Sequence, residues 1–389
     1  MPIVDIVLVV ILVIALFGGV SRGFTGSIGL FAGLAAGAAI AYWAAPLINT
    51  GWPWPEWALL ASVLSALLIL VLGASIGASV GAAVRRGVDR TPLRAIDRLL
   101  GAATGVVVTS LVISLAATSV IAAGVPVLAT ALSSSTVVRT IDQLTPEPVD
   151  RALAEVRSMV IDEGLPQLGD LLEVTPQVAM PAVDLDDPEL ALAAASVARV
   201  SGTAFACGRS STGSGFVIAE DLVVTNAHVV AGVDQPHVEL PGQASREGRI
   251  VYFDPIDDLA VIAVDDLGVA PLQVAPVLDA GAAAVVQGYP LGGPFTMVSA
   301  SVLSTGTVPI PDIYDESSTP RDIYALEAVV RPGNSGGPLL TADGEIAGVV
   351  FARAEADDNL GYAMTTAELM PVIAQSGTLT QSVSSGNCT

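Results

Sequence analysis

Four long apolar runs fill the first third of the chain and restrict its fold more than any other feature. They cover residues 3–20, 26–48, 57–84 and 99–125. Each approaches or exceeds the ~20 residues that a helix needs to cross ~30 Å of hydrocarbon. The first run lacks the basic start and the A-x-A cleavage site of a signal peptide, and three more runs follow it. We therefore predict that residues 1–126 form a membrane domain of four helices.

The charges between the runs predict how the helices are oriented. The basic residues are Arg22 in the first connection and Arg85, Arg86, Arg90, Arg94 and Arg98 in the third. Cytoplasmic loops of membrane proteins are enriched in Lys and Arg. The first and third connections are therefore expected on the cytoplasmic side of an inner or plasma membrane. An even number of spans then places the N-terminus and everything after residue 125 outside the cytoplasm.

The rest of the chain is strongly acidic. Residues 127–389 contain ten Arg, no Lys and 34 acidic residues, a net charge of −24, whereas residues 1–126 carry +2 and the whole chain −22. Nucleic-acid binding needs clustered Lys or Arg to neutralise phosphates, so this composition argues against a nucleic acid as partner. The cysteines have no His or Cys at metal-ligand spacing, and neither a metal nor another cofactor is expected.

The acidic part divides into two regions by its pattern. Residues 127–195 predict an extracytoplasmic spacer with short helices, the clearest being an amphipathic stretch at 145–164. In residues 196–389, short β-type runs alternate with Gly turns, and only TTAELMPVIAQSG near the end has a helical pattern. Such a series predicts an all-β sandwich or barrel, and its length suits a single two-barrel domain.

The string RPGNSGGPL at residues 331–339 places Ser335 in the pattern G-x-S-x-G. This pattern marks the nucleophile of α/β-hydrolases, a similar one surrounds the nucleophile of chymotrypsin-like proteases, and such a cluster is also an ordinary turn. Both histidines, His228 and His237, precede Ser335. An α/β-hydrolase needs its His after the Ser, so that class is excluded. The chymotrypsin order of His, Asp and Ser stays open, and Asp221 would formally allow the subtilisin order.

Three strings of the β region carry the residue types of a catalytic triad in the chymotrypsin order. TNAHVV contains His228, FDPIDDLAVIAV contains Asp258, and RPGNSGGPL contains Ser335. Serine becomes a strong nucleophile when a neutral imidazole takes its proton, and a buried carboxylate holds that imidazole in the correct tautomer. The backbone N–H groups of Gly333 and Ser335 are the expected oxyanion hole, because glycines let such a turn point its amides at the developing charge.

The same strings resemble the trypsin-like protease core of the HtrA/Deg family, over roughly residues 196–372 and including GSGFVI before the His. The four spans resemble the colicin V production (CvpA) domain, and the combination is similar to the MarP-type membrane-anchored proteases of actinobacteria. The resemblance implies a chymotrypsin-like double β-barrel. It also implies a serine endopeptidase that acts on cell-envelope proteins in resistance to acid or oxidative stress. Unlike HtrA proteins, the chain is expected to have no PDZ domain.

The resemblance also implies individual site residues. The acid of the family directly precedes Leu-Ala, which favours Asp258 over two neighbours. Asp257 is expected on the opposite face of an extended stretch, and Asp254 is expected to form a turn. The base of the substrate pocket lies six residues before the nucleophile, at Val329, so an apolar or small P1 side chain is expected. The pocket walls are expected at Phe351, Ala352 and Gly361.

Cys207 and Cys388 are the only cysteines of the chain, and both are expected outside the cytoplasm, where oxidising conditions allow disulfides. SSGNCT near residue 389 is not a sequence that buries itself. This favours a Cys207–Cys388 disulfide over two unpaired buried thiols. The second histidine, His237 in DQPHVEL, is expected on a surface loop.

The residues together predict a membrane-anchored serine endopeptidase whose partners are the lipid bilayer and protein substrates of the cell envelope. One alternative is a membrane scaffold that carries an inactive protease fold, and the complete set of triad residues argues against it. Another is a transporter or secretion channel with an accessory protease domain. Charge within the spans is limited to Asp5, which argues against this alternative because transport paths are marked by intramembrane charges.

Overall fold

The structure is a computed structural model that describes residues 3–51, 55–122, 132, 135–158, 165–169, 171–172, 183–204, 206 and 209–389. The chain divides into two compact units, residues 1–114 and 115–389. The predicted end of the membrane domain at residue 126 lies outside the described residues. The second unit includes both the predicted spacer, 127–195, and the predicted protease domain, 196–389.

Long apolar helices form the N-terminal part of the chain, as the sequence predicts. They are α1 (Ile3–Gly51), α2 (Pro55–Val88) and α3 (Arg94–Ala122). Among the described residues, three helical segments are long and apolar enough to cross a membrane: Ile3–Ala41, Leu68–Val88 and Arg94–Ala117. The sequence predicts four. The first two predicted spans both lie in α1, which is interrupted at Gly23 by a non-helical backbone with φ 70° and ψ 167°.

Glycines allow these helices to pack backbone against backbone, as small residues do in membranes. A Cβ on Gly29, for example, would lie 2.5 Å from the Gly77 carbonyl oxygen. The close pairs are Gly29–Gly77 and Gly33–Gly73 between α1 and α2, and Ala15–Gly105 and Gly19–Gly101 between α1 and α3. In both sets, residues further along α1 pair with residues earlier in the partner helix. The part of α1 after Gly23 therefore runs antiparallel to α2, and the part before it runs antiparallel to α3.

The break at Gly23 lies beside residues of the other two helices. The Thr25 N–H donates to Asp97 Oδ1 at 2.9 Å, and Arg85 donates to the Ser21 carbonyl. Asp97 is buried in the first turn of α3. A Cβ at position 23 would collide with the Asp97 carboxylate. Glycine is therefore required here for space as well as for the positive φ.

The predicted spacer contains short helices, which are α4 (Thr136–Leu144), α5 (Glu147–Ser158) and α6 (Pro188–Ala194). Side-chain oxygens of Ser135 and Asp187 accept backbone N–H bonds and so cap α4 and α6. α5 corresponds to the amphipathic stretch predicted at 145–164. The predicted end of that stretch at Gly164 lies outside the described residues.

The first of two large sheets carries the His and Asp strings. Its strands are β2 (Val197–Ala204), β3 (Arg209–Ala219), β4 (Leu222–Thr225), β5 (His237–Glu239), β6 (Arg246–Glu247), β7 (Arg249–Asp254) and β8 (Leu259–Ala263). They form an antiparallel sheet in the order β6-β5-β2-β3-β4-β8-β7. A short helix, α7 (Ala227–Val230), follows β4. Fully buried aliphatic side chains, including Val200, Val217 and Ile262, form its core.

The second sheet carries the Ser string and closes into a ring. Its strands are β9 (Ala283–Gly288), β10 (Thr296–Pro311), β11 (Ser318–Glu327), β12 (Pro338–Leu340), β13 (Ile346–Ala354) and β14 (Leu360–Thr365). The ring order is β13-β12-β9-β10-β11-β14, because β13 pairs with both β12 and β14. The all-β prediction for this region is confirmed, and the two-barrel arrangement stays a prediction. The helix predicted from TTAELMPVIAQSG is α8 (Thr366–Gln375).

The prediction for His237 is wrong. This residue lies in β5, opposite Ser201 on β2 and Glu247 on β6, and it is buried rather than exposed on a loop. Burial lowers the pKa of His237, and the Glu247 carboxylate opposes that change. The sequence misleads here because Pro236 and the polar residues before it are typical of a loop, and the strand begins directly after them.

Candidate active site

His228 and Asp258 form a tightly bonded pair between two elements of the first sheet. His228 lies in α7, and Asp258 lies in the turn between β7 and β8. The imidazole Nδ1 is 2.7 Å from Asp258 Oδ2 and 3.0 Å from Oδ1. The backbone N–H of His228 also donates to Asp258 Oδ1 at 2.9 Å. The carboxylate thus holds both the ring and its backbone, and the other ring nitrogen, Nε2, stays available for chemistry.

The turn before β8 determines which of three acids faces His228. Asp258 has a left-handed φ of 54°, and its carbonyl accepts a bond from Asn226 Nδ2 at 2.9 Å. Asp254 Oδ1 accepts the N–H groups of Ile256 and Asp257, which is the turn-forming role predicted for it. Burial and the neighbouring Asp254 raise the pKa of Asp257. Only Asp258 of the three is hydrogen-bonded to His228.

Ser335 lies in the glycine-rich turn that precedes β12. Its carbonyl accepts the Ser214 N–H at 2.8 Å, and the next residue, Gly336, donates to the Val350 carbonyl at 2.8 Å. Ser335 borders a cavity of about 160 Å³ together with His228 and Gly333. Neither Ser335 Oγ nor His228 Nε2 forms a hydrogen bond in the structure. Catalytic hydrogen bonds are often long in the free enzyme and tighten when substrate binds.

The residues before Ser335 orient the predicted oxyanion hole. Gly333 has a φ of 91°, and a Cβ there would lie 2.8 Å from the Leu291 nitrogen. The Pro332 carbonyl accepts the Leu291 N–H at 2.7 Å. In a planar trans peptide the C=O and the following N–H point in opposite directions. The N–H of Gly333 therefore points away from Leu291, and Gly333 borders the cavity shared with Ser335.

Ser214 connects the two sheets at this point, and no motif in the sequence indicates this role. The Ser214 hydroxyl donates to the Gly333 carbonyl at 2.7 Å and accepts the Tyr289 N–H at 2.9 Å. Its own carbonyl accepts the Thr225 hydroxyl at 2.7 Å. Ser214 is fully buried. The string GSGFVI, which the resemblance singles out, contains this residue but does not show that it holds the oxyanion turn.

The structure separates the predicted pocket residues into two groups. Phe351 and Ala352 are buried in β13, and the neighbouring β14 contributes Gly361, whose position allows the Val330 side chain to lie against it. Phe351 borders the same cavity as His228 and Asp258. Val329 is 39% exposed and borders a different cavity.

A buried arginine beside the triad residues is another feature that sequence reasoning missed. Arg321 in β11 is 1% exposed and lies over the Phe351 ring, with 5.6 Å from its Cζ to the ring centroid. Its Nη2 donates to the Pro311 carbonyl at 2.5 Å. Burial lowers the pKa of Arg321, whereas Asp258 and Asp257 act in the opposite direction. Arg321 and Asp258 border the same cavity, so the cation lies near the carboxylates of the β7–β8 turn.

A spacer segment borders the cavity beside His228 and Asp258. β1 (Gln167–Leu168) adds parallel to the end of β13. The Arg353 N–H donates to the Pro166 carbonyl at 3.1 Å, and the Glu355 N–H donates to the Leu168 carbonyl at 2.9 Å. Residues 165–168 border a cavity of about 530 Å³ with His228 and Asp258. The sequence predicts a spacer here but not its contact with the site.

The last residues of the chain connect parts of both sheets near the site. The Gly232 N–H donates to the Ser385 carbonyl at 3.1 Å, on the side of the first sheet. The Tyr314 hydroxyl, in the β10–β11 connection, donates to the Asn387 carbonyl at 3.0 Å. Cys388 borders the cavities that contain His228. The predicted partner, Cys207, lies outside the described residues.

The next feature is the set of side chains that could bind a metal ion in the described residues. Within the described ranges, no group of three or more His, Cys, Asp or Glu side chains is placed to hold a metal ion. His228, Asp258 and Ser335 have the residue types that catalysis by a serine nucleophile uses. The arrangement is suited to acyl transfer through a serine nucleophile.

Comparison with known proteins gives two family matches on this chain. A model described as "Trypsin-like peptidase domain" matches residues 213–349, and one described as "Colicin V production protein" matches residues 4–146. The serine protease Rv3671c of Mycobacterium tuberculosis (strain ATCC 25618 / H37Rv) is 33% identical over 395 residues. This alignment covers 99% of the chain and 98% of the relative. The chain belongs to the MarP-type serine protease family.

Further comparisons agree with the assignment of this MarP-type chain. The crystal structure of the Rv3671c protease from M. tuberculosis in its active form superposes with a TM-score of 0.51 and 36% identity, covering 56% of this chain and 99% of that one. A probable periplasmic serine endoprotease, DegP-like, of Marinomonas sp. (strain MWYL1) is 33% identical over 177 residues, 43% of this chain and 36% of the relative. The protein is a serine endopeptidase with a CvpA-type membrane domain.

Proposed function

We propose that this MarP-type protease cleaves peptide bonds with a triad of His228, Asp258 and Ser335. The observation that carries the proposal is the His228–Asp258 pair, with Nδ1 only 2.7 Å from a buried carboxylate and the ring bordering the cavity of Ser335. The Ser335 hydroxyl attacks the scissile carbonyl while His228 takes its proton. The oxyanion accepts the N–H groups of Gly333 and Ser335, and the leaving amine takes the proton from His228. Water then hydrolyses the acyl-enzyme with His228 as base.

A fluorophosphonate probe tests this proposal on the full chain purified in detergent. The wild type should be labelled at Ser335, Ser335→Ala should not be labelled, and His228→Ala should be labelled at only a small fraction of the wild-type rate. Asp258→Asn should lower kcat by about 10⁴-fold because the imidazole then loses its tautomer control. Asp257→Asn, one residue away, is the matched control and should keep its activity. Undiminished labelling of Ser335→Ala would refute the assignment.

The proposal also places the protease unit outside the cytoplasm, after four membrane crossings. The arginine-rich third connection supports this orientation. Four crossings are supported by packing within the membrane unit, because the two parts of α1 run antiparallel to different helices. The link between α2 and α3 is only a few residues long, so these two helices are expected to be antiparallel as well. The chain would then reverse its direction at Gly23.

Reporter fusions test this topology. A periplasmic-type reporter fused after residue 125 should be active, and one fused near Arg90 should be silent. A third fusion near Gly23 distinguishes four crossings from three: it should be silent as well. An active fusion at Arg90 combined with a silent one after residue 125 would place the protease in the cytoplasm.

We further propose a Cys207–Cys388 disulfide. Cys207 and Cys388 are the only cysteines of the chain, and Cys388 borders one cavity together with Arg209. Two residues beyond Cys207, Arg209 Nη1 donates to the Thr389 carbonyl at 2.6 Å, which supports an approach of these two segments. The bond would fasten the last residues of the chain to the start of β3. Intact-mass measurement with and without reductant and alkylation tests it directly.

The substrate class follows from the resemblance and from the apolar residues predicted around the pocket. We propose that the enzyme cleaves cell-envelope proteins after an apolar or small P1 residue, in a pathway of acid or oxidative stress resistance. Quantitative proteomics of envelope proteins from wild-type and Ser335→Ala cells should reveal proteins whose fragments require Ser335. Fragment ends with Arg or Lys at P1 throughout would contradict the specificity.

A further inference from the structure

The direction of the Gly333 N–H depends on the turn formed by Pro290–Gly292. Leu291, with a left-handed φ of 56°, donates its N–H to the Pro332 carbonyl at 2.7 Å. If this carbonyl turned the other way, the Gly333 N–H would turn with it, since the peptide is planar. The orientation of the Gly333 N–H, the proposed oxyanion donor, therefore depends on the position of the Leu291 N–H.

Two contacts hold this turn towards the protease core. Arg199 Nη1 donates to the Gly292 carbonyl at 2.9 Å, and the Arg199 guanidinium is itself bonded to Glu239 at 2.6 Å. At the start of the turn, the Tyr289 N–H donates to the Ser214 hydroxyl at 2.9 Å. Neither contact involves the Leu291 side chain.

The helix α5 of the spacer lies beside the same turn. The helix packs against the turn, and Ala154 in it is 2% exposed. Arg151 and Ala154 border one cavity together with Pro290 and Leu291. The same cavity is bordered by residues that lead to the nucleophile: Val329, Arg331 and Asn334. α5 therefore borders both the turn that directs the oxyanion amide and the segment that ends in Ser335.

We propose that α5 is a positioning element of the active site, and that the Ala154 face of this helix holds Leu291 so that the Gly333 amide points at the oxyanion. The proposal rests on the proposed triad and oxyanion hole. It gives the spacer between membrane domain and protease a part in turnover: a displacement of α5 lowers the stabilisation of the transition state and leaves the binding of the ground-state peptide unchanged.

The test uses the full chain in detergent with Ala154→Glu, which forces a long charged side chain into the buried contact. Ala152→Glu is the matched control, because Ala152 is exposed on the same helix and receives the same charge. One oxyanion donor is worth about 10²–10³ in kcat, so a misdirected donor should cost about 10- to 100-fold. Ala154→Glu should show this loss in kcat with KM within about threefold, and Ala152→Glu should match the wild type.

A second readout separates positioning from folding. A peptide aldehyde forms an oxyanion on Ser335, so its inhibition constant should rise by the same factor as kcat falls. The affinity of an unreactive peptide of the same sequence, measured in Ser335→Ala with and without Ala154→Glu, should stay constant. Unchanged kcat in Ala154→Glu overturns the proposal. Equal losses of aldehyde and unreactive-peptide affinity also overturn it, because α5 would then shape the substrate cleft.

Leu291→Gly tests the same link if Ala154→Glu fails to fold. Glycine keeps the N–H and tolerates the positive φ, but it removes the side chain that α5 is proposed to hold. We expect a similar fall in kcat and aldehyde affinity at an unchanged thermal midpoint, and wild-type values for both would refute the proposal. Failure of the triad itself would look different, since fluorophosphonate labelling of the wild type would then be missing.

Discussion

Replacement of Ser214 by alanine should damage the protein twice, in stability and in turnover. The hydroxyl bonds two backbone groups of the second sheet, the Tyr289 N–H at 2.9 Å and the Gly333 carbonyl at 2.7 Å. Ser214 is 0% exposed, so water cannot take its place without rearrangement. Each buried group left without a partner costs about 1–3 kcal/mol. The free energy of unfolding of the protease unit should therefore fall by about 2–6 kcal/mol.

The same substitution should lower turnover, because Gly333, the proposed oxyanion donor, loses the hydrogen bond to its carbonyl. A misplacement of ~1 Å at a catalytic group can cost ~100-fold in rate. We expect kcat to fall by about 10- to 100-fold for the folded fraction of Ser214→Ala. The assay is active-site titration followed by steady-state kinetics, so that loss of folded enzyme does not count as loss of rate. Thermal unfolding of the same samples should show a midpoint lowered by at least about 4 °C.

Ser210→Ala is the control for this prediction. Ser210 lies on the same strand, and its hydroxyl is 3.0 Å from the Thr203 hydroxyl in a partly exposed position. Its hydroxyl bonds Thr203 within the first sheet, so the thermal midpoint should stay near the wild type. Because Ser210 also borders the cavity of Ser335, only the midpoint serves as the control. A Ser214→Ala protein with wild-type midpoint and wild-type kcat would refute the argument that this hydroxyl connects the two sheets at the site.

Three further outcomes are expected. Gly23→Ala should lower the thermal midpoint of the detergent-solubilised protein, because the new Cβ collides with Asp97 at a positive φ; an unchanged midpoint would contradict the close approach. Asp257→Asn should raise the midpoint at pH 7 by about 1 °C. The pKa of Asp257 is raised, so its ionised form opposes folding and the gain should vanish as the pH falls through that pKa; a gain independent of pH would argue against charge as its cause. Cys207→Ser should lower both midpoint and kcat, and reductant should do the same to the wild type only. Two freely alkylated thiols in active wild-type enzyme would disprove the Cys207–Cys388 disulfide.

The candidate catalytic residues could be proposed from short strings because Ser, His and Asp each have a distinct role in serine-protease chemistry. His228, Asp258 and Ser335 follow one another in the order of the chymotrypsin class, and the structure places Asp258 against His228. The choice of Asp258 over Asp254 and Asp257 needed the resemblance to the family. The extended backbone assumed for Asp257 and Asp258 is not what the structure shows. Asp258 has a φ of 54°, and the backbone turns there. Its bond to the His228 N–H could not be read from the strings.

The supporting contacts could not be predicted because they join residues that are far apart in the chain. Ser214 and Gly333 are 119 positions apart, and nothing in either local string indicates the other. Arg321 appears in the sequence as an ordinary charged residue of a polar stretch, but packing over Phe351 buries it. The same holds for the spacer, whose composition indicates short helices and gives no sign that Gln167–Leu168 adds to β13. Local patterns specify elements, whereas these contacts depend on how the sheets close.

The seam between α1 and α2, formed by Gly29, Gly33, Gly73 and Gly77, should change very little in evolution. Every glycine codon begins with two guanines, so a change in either base produces a stop or a residue that carries a Cβ. At Gly29, Gly33, Gly73 and Gly77 that atom would meet a backbone carbonyl of the facing helix, which no rotamer change can move aside. No second substitution across the seam can make room, because the residue there is already the smallest one. The lipid-facing side chains of the same helices remain free to exchange among Leu, Ile and Val, so genetic drift can alter the surface of this hairpin but not its spacing.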